Sequence, residues 1–165
     1  MLSPVKAAMD GEGSSSANPS GVQGVCPAGW HLPSDSEWTQ LIDYLNDEHD
    51  IENSYSVESA ANALKSCRQV DSPLGGECAT SQHPRWDSQS THFGTDQFEF
   101  SALPGGGRTA TGNFNYIGER GYWRSATQYR DNTAAMTMLM YSSSGFFDTS
   151  AIWWGNAFSV RCVRD

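Results

Sequence analysis

The sequence predicts an α+β domain. Three features lead there: a capped amphipathic helix, a weaker helical stretch behind it, and a change of texture from Leu74 onward to Gly, Ser, Thr and aromatics in short runs. Helices first and short antiparallel strands afterwards keep the two element types apart, which defines the class. At 165 residues the chain has the length of one ordinary domain, and such a domain buries about 68–70% of its unfolded surface. Residues 1–165 therefore read as one domain around one core, with no internal repeat.

The first element is a loop. Residues 11–24, GEGSSSANPSGVQG, have no apolar periodicity and bury too little to offset their ordering entropy, so a flexible Gly/Ser-rich segment is expected. Ser34-Asp35-Ser36-Glu37 then fits a capping box. Trp38, Leu41, Ile42 and Leu45 follow at i, i+3, i+4 and i+7, which predicts a core-facing helix over 35–47. A second helix is predicted over Val57–Cys67, with Ala60, Ala61 and Leu64 on one side and Ser56 as cap. Turn signals at SPLGG, LPGGG, TGN and SSSG separate predicted strands at Phe98–Ala102, Gly121–Ser125, Ala134–Tyr141 and Phe158–Val163.

Charge and composition exclude several functions. Ten Lys plus Arg against 19 Asp plus Glu give a net charge of −9, the wrong sign for capturing nucleic acid or an anionic membrane. No run approaches the roughly 20 apolar residues of a membrane span, and no membrane insertion by this domain is expected. Met1–Asp10 lacks a basic region followed by an apolar stretch, so an export signal is expected to be already removed.

The four cysteines, Cys26, Cys67, Cys78 and Cys162, include no C-x-x-C pair, which argues against a zinc ribbon or a redox motif. An even count without metal spacing favours disulfides in an oxidising compartment. Three pairings exist, and the natural one joins Cys67 to Cys78 across a short loop and leaves Cys26 for Cys162. In the chain-entropy picture the long loop is worth about 4–5 kcal/mol and the short one about 3.

Catalytic constellations are scarce. His31, His49, His83 and His92 lack metal-ligand spacing and read as loop or capping side chains. No G-x-S-x-G elbow surrounds any serine, and Gly105-Gly106-Gly107 lacks the context of a phosphate cradle. Asp87, Asp96 and Glu99 offer oxygen ligands for calcium without the alternating EF-hand spacing, and as paired carboxylates they are what a glycan-cleaving enzyme would need. The expectation is no enzyme, no catalytic residue and no resident cofactor, with calcium the one ion worth weighing.

The segment that points to recognition is Ala134–Trp154. If Leu139 faces the core, two-residue periodicity puts Met136, Met138 and Met140 together on the opposite face. Phe146, Phe147, Ile152, Trp153 and Trp154 follow within otherwise polar segments. Methionine and aromatics are what adaptable binding surfaces use, and a concentrated apolar patch on an acidic domain marks a partner site.

The strings GVCPAGWHLPSDSEW, LKSCRQVDSPLGGECATSQHPRW, FSALPGGGR, IGERGYWRSAT and FSVRCVRD, in that order, resemble the Fibrobacter succinogenes major paralogous domain family of exported bacterial proteins over about 7–165. That family is similar to C-type lectin-like folds and to the formylglycine-generating-enzyme-like group. The resemblance implies two helices, a twisted antiparallel sheet and two disulfides, with the first-to-last cysteine bridge similar to the long disulfide of C-type lectins. The lectin calcium motifs Glu-Pro-Asn and Gln-Pro-Asp are absent, and Trp154-Gly155-Asn156 only faintly resembles Trp-Asn-Asp. Similar domains also serve as variable proteins of diversity-generating retroelements, in which surface codons near the 3′ end are rewritten.

The expected function is thus non-enzymatic recognition of a protein or glycan ligand on another cell or surface. The chain would belong to an exported protein, secreted, on the cell surface, or displayed on an appendage or phage. The expected ligand-binding residues are Tyr129, Arg130, Asp131, Met136, Met138, Met140, Phe146, Phe147, Asp148, Ile152, Trp153 and Trp154. The alternative is a cell-envelope or adhesin-assembly module that docks through the same C-terminal apolar patch.

Overall fold

The computed structural model describes residues 3–52, 54–56, 58–129 and 134–165. Its elements, in order, are α1 (Pro4–Ala8), β1 (Trp30–His31), α2 (Asp35–His49), α3 (Ala60–Leu64), β2 (Gly107–Arg108), β3 (Phe114–Asn115), β4 (Arg120–Tyr129), β5 (Ala134–Tyr141), β6 (Phe147–Trp153) and β7 (Val163–Arg164). The central sheet is antiparallel in the order β4-β5-β6, and β1-β7 and β2-β3 form two small ribbons. This is an α+β chain with few helices, small antiparallel sheets and two disulfides.

Helix α2 starts as its sequence dictates. Ser34 Oγ accepts from the Glu37 amide at 3.2 Å, and Glu37 Oε2 accepts from the Ser34 amide at 2.9 Å. The helix runs two residues past the expected 47 and stops where Asp50 turns left-handed, at φ 55°. Trp38 and Leu45 enter a core shared with Leu64, Trp86, Trp123, Met138, Met140 and Phe147. Helix α3 is shorter than expected: it begins after Ser59, not Ser56, and Val57 lies outside the described residues. A second core joins Val5 and Met9, from the unforeseen helix α1, to Val22, Cys26, Leu32, Ala126 and Ala135.

Two sequence expectations are corrected. Phe98–Ala102 is no strand, because Glu99 (φ 52°) and Ser101 (φ 53°) adopt left-handed backbone that breaks the extended run, leaving one bridge between Ala102 and Lys65. Phe158–Val163 is irregular except where Ser159 bridges Trp123 and where Val163 enters β7. The Gly/Ser segment 11–24 has no helix or strand, yet it is tied down: Ser15 N donates to Ala126 O, Ser20 Oγ to Leu32 O, Ser20 N to Glu37 and Gly24 N to Glu12.

Cys26 bonds to Cys162 across 136 residues and Cys67 to Cys78 across 11. This is the pairing favoured by cysteine spacing, and it places the chain in an oxidising, extracytoplasmic environment. Among the described residues no helix is long and apolar enough to cross a membrane.

Candidate functional site

The central sheet has two covered faces. Register pairs Met140 with Gly121 and Phe147, and Met138 with Trp123 and Thr149, so these side chains share one face. That face looks into the α2 core: Met138, Met140 and Phe147 are fully buried, and Met136 is half-buried. Met138 and Met140 are thus core side chains, clustered with residues of helices α2 and α3, while Met136 keeps part of its surface exposed.

The opposite face carries Tyr122, Arg124, Thr137 and Leu139. Buried Arg124 donates from Nη1 to Thr137 Oγ1 at 3.1 Å and from Nη2 to Asn156 O at 2.8 Å, and lies over the Phe158 ring at 4.7 Å. Desolvation lowers its pKa to about 10, still charged at neutral pH. This guanidinium fixes the segment after β6 against the sheet. Phe158 then stacks on Tyr122 at 4.5 Å, and a Cβ at position 107 would run into the Phe158 ring, so Gly107 lets the β2-β3 hairpin close on top.

The hairpin ends in an apolar display. Phe114 is 71% exposed, Tyr116 43% and Ile117 54%. It is seated by Arg120, whose guanidinium lies 3.9 Å from the Tyr116 ring and 5.1 Å from the Tyr141 ring and donates to Tyr122 Oη at 3.2 Å. Burial pulls the Arg120 pKa down, but the hydrogen bond and the neighbouring tyrosines outweigh it and raise the net value. Beneath the hairpin, Tyr116, Tyr122, Ile152, Asn156 and Phe158 line a cleft of about 90 Å³, room for one small side chain.

The remaining expected site residues are scattered. Tyr129 and Trp153 both pair with Ala134 at one end of the sheet, and Trp153 is 58% exposed. Phe146 is half-buried and stacked on exposed Tyr55 at 5.1 Å. Asp148 is exposed on edge strand β6, and its carboxylate accepts from the Thr149 amide. Trp154 packs against the second core with its indole nitrogen buried. Arg130 and Asp131 lie outside the described residues. Sequence reading missed Phe114, Tyr116 and Ile117; the signal available was three large apolar residues between two glycine turns, at Gly112 and Gly118.

Of the residues weighed for calcium or glycan cleavage, Asp96 and Glu99 sit in one turn, with the Glu99 amide donating to Asp96 O at 3.1 Å. Asp96 accepts from the Ser101 amide and hydroxyl, and among the described residues no group of three or more His, Cys, Asp or Glu is arranged to hold a metal.

Comparison with curated proteins and with solved structures returns no match. The Fibrobacter succinogenes major domain matches residues 4–164, nearly the whole chain, and the protein belongs to that family.

Proposed function

We propose that this chain is a non-enzymatic recognition domain with a C-type lectin-like architecture, carried by an exported protein that meets a protein or glycan ligand on another surface. The observation that carries the reading is the hairpin display of Phe114, Tyr116 and Ile117 on an otherwise acidic chain. Rigid aromatics beside arginine are the composition of binding hot spots, and Arg120 seats Tyr116 before any ligand arrives. The long disulfide and the β1-β7 ribbon support the lectin-like part of the proposal.

The test is binding of wild type and of a Phe114→Ser/Ile117→Ser variant to bacterial cells and to a glycan array. Loss of binding with an unchanged melting temperature is the expected result. Equal binding by both proteins overturns the hairpin as the site. If the chain is also a retroelement variable protein, gene copies from sister isolates vary at exposed Tyr129, Asp148 and Trp153 and keep buried Met138, Met140 and Phe147 constant. An invariant 129–154 segment means a fixed partner and favours docking within an envelope assembly.

A further inference from the structure

A second concavity lies away from the hairpin, between the first half of α2 and the C-terminal segment. It encloses about 340 Å³ and is walled mainly by Pro33, Trp38, Leu41, Phe100 and Val163, with Arg161, the Gln40 amide and the Tyr44 hydroxyl as its donors. Its volume falls at the lower end of small-molecule sites, and apolar walls with a few polar groups are their usual make-up.

Arg161 is the unusual member. Its guanidinium lies 3.7 Å above the Phe100 ring, and among the described residues it has no hydrogen bond and no ion pair. Burial lowers its pKa, and the charge of Asp96 offsets this only in part. With no carboxylate in direct contact among the described residues, this half-buried guanidinium keeps its donors free for an anionic ligand. Trp38, 3% exposed, also lines the groove, and its indole N–H has no acceptor. Glu37, the one carboxylate in the lining, is already committed: Oε1 meets His31 at 2.6 Å, and Oε2 accepts from Ser34 N and Ser20 N.

We infer that this groove binds a small monocarboxylate with an aromatic or branched apolar body, its carboxylate on Arg161 and its body against Leu41, Tyr44 and Phe100. The planar guanidinium suits a carboxylate, which it holds through two parallel N–H donors. Arg161 is the one lysine or arginine in the lining, and the chain's net charge of −9 disfavours a polyanion, so a monoanion is selected.

The probe is 3-phenylpropionate, titrated into ¹⁵N-labelled protein with 3-phenylpropanamide as its neutral match; the Trp38 indole resonance is assigned with Trp38→Phe. A saturable shift of that resonance with the acid, and binding about 10- to 100-fold weaker with the amide or with Arg161→Gln, is the expected result, as for loss of one charge-assisted hydrogen bond. Arg161→Lys should retain part of the affinity. Equal affinity for acid and amide, or no saturable shift, overturns the inference whatever the variants do. Undiminished binding by a folded Arg161→Gln overturns it as well. The hairpin variant Phe114→Ser/Ile117→Ser should bind the acid like wild type, which keeps this site separate from the proposed recognition surface.

Discussion

His31 and Glu37 meet at 2.6 Å between imidazole Nε2 and carboxylate Oε1, and the other ring nitrogen faces Asp165 at 2.7 Å. A carboxylate on each nitrogen requires both to donate, which is the imidazolium form. Burial alone would lower the His31 pKa, but the hydrogen bonds and charges of Glu37 and Asp165 outweigh it and raise the value above 6.5. The folded chain therefore holds this proton more tightly than the unfolded one. Stabilisation is complete below pH 6.5 and is lost as pH rises through the raised value. The His31 ring protons in an NMR titration should show a midpoint above 6.5 that falls in Glu37→Gln; a wild-type midpoint at or below 6.5 refutes the assignment.

Lys65 should act in the opposite sense. It is fully buried, donates to Asn62 Oδ1 and to the carbonyls of His92, Ser142 and Ser144, and desolvation lowers its pKa to about 7. Between that value and 10.5 the unfolded chain keeps a proton that the folded chain releases, so this residue makes stability rise with pH. Lys65→Met removes that rise and leaves three carbonyls without their donor, at a cost of about 2–4 kcal/mol near pH 6. Urea unfolding of both proteins at pH 6, 8 and 9.5 reads both effects; a variant with wild-type pH dependence contradicts the first.

The two disulfides should differ in worth. Chain entropy gives about 5 kcal/mol for the bridge that closes 136 residues and about 3 kcal/mol for the one that closes 11. Cys26→Ser/Cys162→Ser is therefore expected to lose about 2 kcal/mol more than Cys67→Ser/Cys78→Ser in chemical denaturation. The reverse order would show that the short bridge acts through the folded state.

Substitutions within the C-terminal apolar segment should split by burial. Phe147→Ala opens the core and should cost about 3–5 kcal/mol. Trp154→Ala disturbs the second core and should also lower the melting temperature. Trp153→Ala, on a mostly exposed side chain, should shift it by only a few degrees. Thermal unfolding of the three variants decides, and a Trp153 loss as large as that of Phe147 would place its ring in a packed environment.

Much of the architecture is legible where local chemistry decides it. The Ser34–Glu37 box, the α2 stripe and the bounds of β5 all follow from short-range pattern. The direction of the methionine ladder does not, because alternation separates two faces without saying what covers each. Here both are covered, one by helices and the other by the Phe158 segment and the hairpin, so Met138 and Met140 fill a core that composition makes look like a surface. Strand β6, FDTSAIW, is hidden for a related reason: as an edge strand it needs few apolar residues. The groove beside Arg161 depends on residues 33, 38, 100 and 161 meeting in space, which no sequence spacing reveals.

The bond between Cys26 and Cys162 also sets how the domain carries mechanical load. Tension entering before Cys26 and leaving after Cys162 passes through the sulfur atoms and bypasses the 135 residues between them. The first core, the central sheet and the hairpin then feel almost no pull, and the load falls on the segment up to Cys26, with α1 and its share of the second core, and on β7 beyond Cys162. A tether built from such domains would stay short under force while its binding faces kept their shape. Chemical reduction would turn each one into an extensible spring.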